Sequence, residues 1–189
     1  MKYDRTQAVE NAKEVFWQLG FQGSKMRDLQ LRMNMRPGSI YAGFGSKEGL
    51  FKEALTQYVQ EFQLAIQEFV DSSDSPLQGL KRFFESQIID GDDFSKKPLC
   101  LLVKTVTELE ESQPELAHYA QCGLQSIAET FSECLNQCKE CGELRTDANP
   151  ARLAKWLQMQ LMGLRLYAKN KPQRQEVLDM IDDIFSHLN

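Results

Sequence analysis

The chain has 189 residues, with 22 Lys+Arg against 27 Asp+Glu, a formal net charge of −5 and 42% hydrophobic residues. At roughly 100–200 residues per domain this allows one large domain or two small ones, with a core that needs neither metal nor disulfide, and the 26% charged share marks a globular chain. No apolar run approaches the ~20 residues that cross a bilayer, the polar start Met1-Lys2-Tyr3-Asp4-Arg5 is not expected to act as a signal peptide, and five Cys, an odd number, point to free thiols in a reducing cytoplasm.

The apolar spacing is helical nearly throughout and predicts an all-α fold of about nine helices. Ala8, Ala12, Val15, Phe16 and Leu19 place a first helix over about Asp4 to Leu19, with Asp4 and Gln7 as a capping pair and Gly20 as a left-handed stop. Ser24 opens a short second helix carrying Met26, Leu29 and Met33. Asn34-Met35 make a brief turn. Pro37 suits the first position of a third helix with Ile40, Tyr41 and Phe44, and Gly45-Ser46 break and recap the chain. A long helix follows over Lys47 to Val70. Further helices are placed at about Leu77–Ile89, at Leu99–Glu111, and from Pro114 to Cys141-Gly142. The last two begin at Asn149-Pro150 and at Pro172.

The usual marks of catalysis are missing. There is no G-x-G-x-x-G, no G-x-x-x-x-G-K-[ST], no H-E-x-x-H and no G-x-S-x-G, and only His118 and His187 supply imidazole. We therefore assign no catalytic residue, cofactor or metal, and a helical enzyme is the least supported class. The acidic balance argues against general nucleic-acid binding until it is divided. Residues 1–50 hold eight Lys/Arg and five acids, a net of +3, while the remainder holds 14 basic and 22 acidic residues, a net of −8. A small basic three-helix unit on an acidic helical body is what a helix-turn-helix regulator needs.

The stretch from Gly20-Phe21-Gln22-Gly23-Ser24 through Ser39-Ile40-Tyr41-Ala42-Gly43-Phe44-Gly45-Ser46-Lys47-Glu48-Gly49-Leu50-Phe51 resembles the signature of TetR/AcrR-family transcriptional regulators. Gly142-Glu143-Leu144, Leu153-Ala154 and Gly163-Leu164-Arg165 extend the resemblance more weakly into the second half. It implies a bacterial, cytoplasmic homodimer on a palindromic double-stranded operator, with a helix-turn-helix domain at 1–50 and an effector-binding and dimerisation domain at 51–189. Ser24 would cap helix two and, with Lys25 and Arg27, anchor phosphate. Tyr41 and Lys47 would contact the flanking phosphates. Arg36, Ser39 and Ala42 would read bases, with Gly38 allowing close approach. Phe16, Leu29, Ile40 and Phe44 would hold the unit together. Two departures stand out: Asn34 replaces a frequent Gly, and Arg36 replaces a capping Ser or Thr, trading a cap for a long cation.

For the body, the resemblance implies that the last two helices pair with their symmetry mates through Leu153, Trp156, Leu157, Leu161, Leu164, Val177, Ile181, Ile184, Phe185 and Leu188. It also implies a small amphipathic or aromatic effector, with Phe62, Phe83, Phe84, Cys100, Val103, Lys104, Thr107, Phe131, Trp156 and Gln160 as candidate walls. Its binding would favour wrongly spaced reading heads and release a repressor. Two alternatives stay open: a body that binds a partner protein, and a thiol-based redox or electrophile sensor. Ala120, Leu124, Ile127, Phe131, Cys134, Cys138 and Cys141 continue one helical stripe, so those thiols read first as small hydrophobes. Zinc binding would need Cys122 or a His as well. Cys100, with Lys96 and Lys97 close in sequence, is the other candidate sensor.

Overall fold

The computed structural model describes residues 4–188, so the start at Met1-Lys2-Tyr3 lies outside the described residues. Within them are nine α-helices and no strand: α1 (Arg5–Gly23), α2 (Met26–Met33), α3 (Pro37–Phe44), α4 (Lys47–Asp71), α5 (Pro76–Ile89), α6 (Leu101–Leu109), α7 (Pro114–Glu140), α8 (Pro150–Tyr167) and α9 (Arg174–Ser186). Short 3-10 turns lie at Phe94–Lys96 and Ala168–Asn170. Among the described residues no helix is long and apolar enough to cross a membrane.

Local chemistry sets most boundaries. The Asp4 carboxylate accepts from the Gln7 N–H at 3.1 Å, Ser46 Oγ from Gly49 at 3.1 Å, Ser75 Oγ from Gln78 at 3.3 Å and Asn149 Oδ1 from Arg152 at 3.1 Å. Each supplies an acceptor to an otherwise orphaned helix N-terminus. Asn34 takes the left-handed conformation that ends α2, with φ 51° and ψ 43°. One boundary differs from expectation. Gly20, at φ 75° and ψ 174°, breaks α1 but does not end it; a further turn runs to Gly23. Ser24 therefore closes α1, and Lys25 stands at the N-cap of α2.

The chain divides into two compact units. The first comprises the described residues up to Glu61 together with Cys100–Leu124, and therefore includes α6 and the start of α7. Its core is built on Phe16, Phe21 and Phe51, with the Phe16 and Phe51 rings edge-on at 4.7 Å and the Phe21 and Phe51 rings 5.0 Å apart. Leu29, Ile40, Phe44 and Leu50 are buried around them, which seats α2 and α3. Full burial contributes roughly 1.5–3 kcal/mol per large apolar side chain, so this cluster fixes how α3 is presented.

The second unit comprises Phe62–Leu99 and the described residues from Gln125 onward. Here α5 packs against α8 and α9. Phe83, Phe84 and Phe131 are fully buried. Phe84 meets Phe185 edge-on at 5.1 Å, and Phe62 meets Phe83 in the same way at 5.1 Å.

Candidate nucleic-acid interface

α3 rests on Ile40 and Phe44, which are buried, and leaves Gly38, Ser39, Tyr41 and Ala42 exposed. Tyr41 is half exposed, too much for a core aromatic. Arg36 stands exposed at the N-cap of the same helix. Lys25 and Arg27 are exposed at the front of α2. Here the Asp28 carboxylate already accepts from the Lys25 N–H at 2.9 Å, so the attraction for an anion falls to side chains more than to the helix end.

Pairing separates the basic residues into two sets. Arg5 binds Glu53 and the Gly43 carbonyl oxygen, Lys13 binds Glu10 and Glu61, and Arg32 binds Glu14. Those cations hold the helices to one another. Lys25, Arg27 and Arg36 are exposed and, among the described residues, make no salt bridge, so they are charges left to the surface. Unpaired cations beside an exposed helix face are what a phosphate backbone attracts.

The Ser24 expectation is corrected, and Lys47 has a partner within its own unit. Ser24 is 1% exposed and its hydroxyl donates to the Phe21 carbonyl oxygen at 2.9 Å, so it neither caps α2 nor faces a phosphate. Lys47 donates to the same oxygen at 2.5 Å and lies 4.4 Å from the Phe21 ring centroid. Burial holds its ammonium below the usual lysine range, against the opposing pull of Glu48, Glu108 and Asp28. Both residues close the last turn of α1. The cause lies in α6, too remote in sequence for spacing to reveal. Glu108 accepts from the backbone N–H of Phe21 at 3.1 Å and of Gln22 at 2.7 Å, just past the Gly20 break. Lys104 donates to the Trp17 and Gln18 carbonyl oxygens at 2.8 and 3.2 Å, just before it. Lys104 therefore caps the broken helix and is not a polar group on an apolar wall.

The other candidate pocket residues scatter. Cys100, Val103 and Thr107 belong with Lys104 to the first unit, and Thr107 is exposed and bonded to its own helix. Phe83, Phe84 and Phe131 are packed interior of the second unit, while Phe62 and Gln160 are half-buried. Trp156, with Leu153, Met159 and Leu188, lines an apolar groove of about 430 Å³. A wider cleft of about 860 Å³ lies between the ends of α5 and α9, where Lys81 and Asp182 pair at 2.6 Å.

The candidate dimer residues are also redistributed. Leu157, Leu161, Leu164, Val177, Ile181, Ile184, Phe185 and Leu188 are buried within the single chain, because their spacing turns them to its own core. What remains on the surface of α8 is Met159 and Leu166, 61% and 60% exposed, flanked by half-buried Leu153 and Trp156. A Cβ placed on Gly163, between them in the helix, meets nothing within 4 Å.

All five cysteines are free. Cys134 and Cys138 are buried, and burial pushes their thiols up to about 11 and about 12, which suppresses the reactive thiolate. Cys141 ends the stripe exposed, and Cys100 is buried at the N-cap of α6. Of the lysines close to Cys100 in sequence, Lys96 pairs with Asp93 and Lys97 donates to the Ser86 carbonyl oxygen. Among the described residues no three His, Cys, Asp or Glu side chains gather as metal ligands.

Comparison with known proteins bears on the same surface. Residues 8–54 match the model of bacterial regulatory proteins of the tetR family, and residues 76–178 match the tetracyclin repressor-like C-terminal domain. The chain is similar to the HTH-type transcriptional regulator YezE of Bacillus subtilis (strain 168), 24% identical over 189 residues, with 100% of this chain and 97% of the relative covered. It is similar to the HTH-type transcriptional repressor DhaR of Mycobacterium sp. (strain GP1), 25% identical over 187 residues, with 97% and 91% covered. Among solved structures, a cysteine mutant of the TetR family transcriptional regulator CifR complexed with 26bp double-strand operator DNA matches at a TM-score of 0.82 and 26% identity, covering 100% of this chain and 98% of that one.

Proposed function

Because the chain belongs to the TetR family of bacterial regulatory proteins, we propose that it is a homodimeric repressor whose two α3 helices read a palindromic operator and which a small amphipathic or aromatic effector releases. The observation that carries the DNA reading is the set of exposed cations without a salt bridge, Lys25, Arg27 and Arg36, beside the exposed face of α3. Arg27, Lys25 and the Tyr41 hydroxyl hold the phosphates. Arg36, Ser39 and Ala42 meet base edges, with Arg36 able to take a guanine through both arms of its guanidinium. Each α3 enters a major groove, so the half-sites lie one duplex turn apart or a multiple of it.

Footprinting on the DNA flanking the protein's own gene identifies the operator. Binding to that operator is then followed across salt. The logarithm of affinity is expected to fall linearly with the logarithm of salt, and Arg27→Ala to flatten that slope by about 0.9 for each phosphate it leaves without a neutralising cation. Ser24→Ala, by contrast, is expected to leave the slope unchanged. A wild-type slope close to zero would contradict the phosphate roles.

Dimerisation in this reading uses the outer face of α8, where Trp156, Met159, Gly163 and Leu166 follow one another at steps of three or four residues. The open position at Gly163 lets a second helix approach closely. The apolar groove beside Trp156 continues that surface onto the end of α9. An effector would shift the population between DNA-competent and DNA-incompetent spacings, and only by as much as it prefers one of them.

A further inference from the structure

Arg165 in the second unit is held in an unusual way. One guanidinium nitrogen, Nη2, donates to Gln87 Oε1, while Nε is buried without any hydrogen-bond partner. The guanidinium carbon lies 5.8 Å from the centroid of the half-buried Phe62 ring. Nε and Nη2 form one edge of the guanidinium, the edge that takes both oxygens of a carboxylate. Here that edge meets a single neutral amide oxygen. A buried donor left unmade is costly, and such exceptions call for a reason.

The surroundings add positive charge, which Asp90 opposes. Lys97 donates to the Ser86 carbonyl oxygen, Lys169 to the carbonyl oxygens of Ser95 and Lys97, and Arg174 to that of Gly91. Among the described residues none of these cations, nor Arg165, makes a salt bridge to a carboxylate. Burial holds the Lys97 ammonium below the usual lysine range; Asp90 pulls it back up, and the charges of Arg165 and Arg174 push it down by less. Neutral carbonyl dipoles satisfy the donors, and Asp90 offsets only part of the repulsion among the charges. An added anion would relieve both the repulsion and the orphaned Nε–H.

We propose that Arg165, backed by Lys97, is an anion subsite, and that the effector is a small organic carboxylate whose apolar body lies on Phe62. The carboxylate takes the Nε–Nη2 edge of Arg165. Gln87 then turns its amide to donate to the same carboxylate. Phe62, edge-on to Phe83, offers the apolar group a rigid wall. The ligand class rests on the effector-gated reading given above; the subsite itself does not.

Calorimetric titration of the full protein with benzoate, naphthoate and octanoate, each against its uncharged amide, tests the subsite without DNA. At least one acid is expected to bind, with its amide roughly 10-fold weaker or worse, and Arg165→Met to weaken the acid by roughly 10- to 100-fold. Arg165→Lys should recover part of the loss. Without ligand, Arg165→Met is expected to melt no lower than wild type, because it removes an unsatisfied donor and a charge repulsion. If Arg165 merely ties α8 to α5, the variant melts lower while acid and amide bind alike, which overturns the proposal. Failure of all three acids to bind at millimolar concentration also overturns it. Operator release is measured separately: an acid that binds through Arg165 but releases no DNA supports the subsite and overturns effector gating.

Discussion

Gly38 lies in the first turn of α3, and a Cβ built on it meets nothing within 4 Å. Nothing within the described chain excludes a side chain there. Glycine in an exposed helix is nonetheless less stable than alanine by about 1 kcal/mol. Gly38→Ala is therefore expected to raise stability by up to about that amount in urea unfolding. If the α3 backbone approaches the floor of the groove, the same methyl lowers operator affinity several-fold in a titration. A variant that gains stability and keeps its full affinity would place that face of α3 away from the bases. Gly20 is the opposite case. Its φ of 75° suits glycine, and a Cβ there would come within 2.5 Å of Glu108 Oε2. One glycine is demanded by the fold, and the other is not.

At the scale of elements, α1 is fixed by contacts remote in sequence. Lys13, 3% exposed, joins Glu10 on its own helix to Glu61 on α4, and Gln57 donates to both acids. Burial pushes the Glu61 carboxyl up, but the hydrogen bonds from Lys13 and Gln57 and the Lys13 charge outweigh it, so its pKa stays below the ordinary 4.5. A carboxyl depressed on folding contributes stability that is present above its unfolded pKa and lost as pH falls through its folded one. Chemical denaturation at descending pH should therefore show a loss beginning near pH 4.5. Lys13→Met should flatten that loss by about 1 kcal/mol or less, since Glu61 is partly open to water. An unchanged acid profile in the variant would remove Lys13 from this role. These long-range ties also explain what could be read in advance. Pro37, Asn34 and Asn149 act on their own turns, and their helix boundaries are legible from local residue chemistry. The fate of Ser24 depends on whether α1 stops at Gly20, and that is decided by Glu108, 86 and 87 residues away from the N–H groups it accepts. Lys104 reads as a wall residue for the same reason, its carbonyl partners being as remote. Spacing identifies a helical stripe but not which of two apolar faces meets the chain's own core, so it assigns Leu157, Leu161 and Leu164 to a surface when they are interior.

For the whole molecule, the net charge of −5 averages a basic start and an acidic remainder with different tasks. The acidic share discourages stray contact with DNA, so specific binding depends on holding two basic heads at one spacing. In the proposed dimer that spacing requires a stable pairing of copies, for which the outer face of α8 is the proposed surface. Around a two-fold axis the same stripe faces itself, so a charge placed there repels its own counterpart. Met159→Asp is expected to convert the dimer to a monomer in sedimentation equilibrium without lowering the helical content, because Met159 is 61% exposed in the single chain. Operator affinity should fall at least roughly 10-fold, since each half-site then binds without the effective concentration supplied by its partner. Leu64→Asp, on the surface of α4 and 63% exposed, serves as the control and is expected to remain dimeric. A Met159→Asp protein that stays dimeric would move the interface off the outer face of α8.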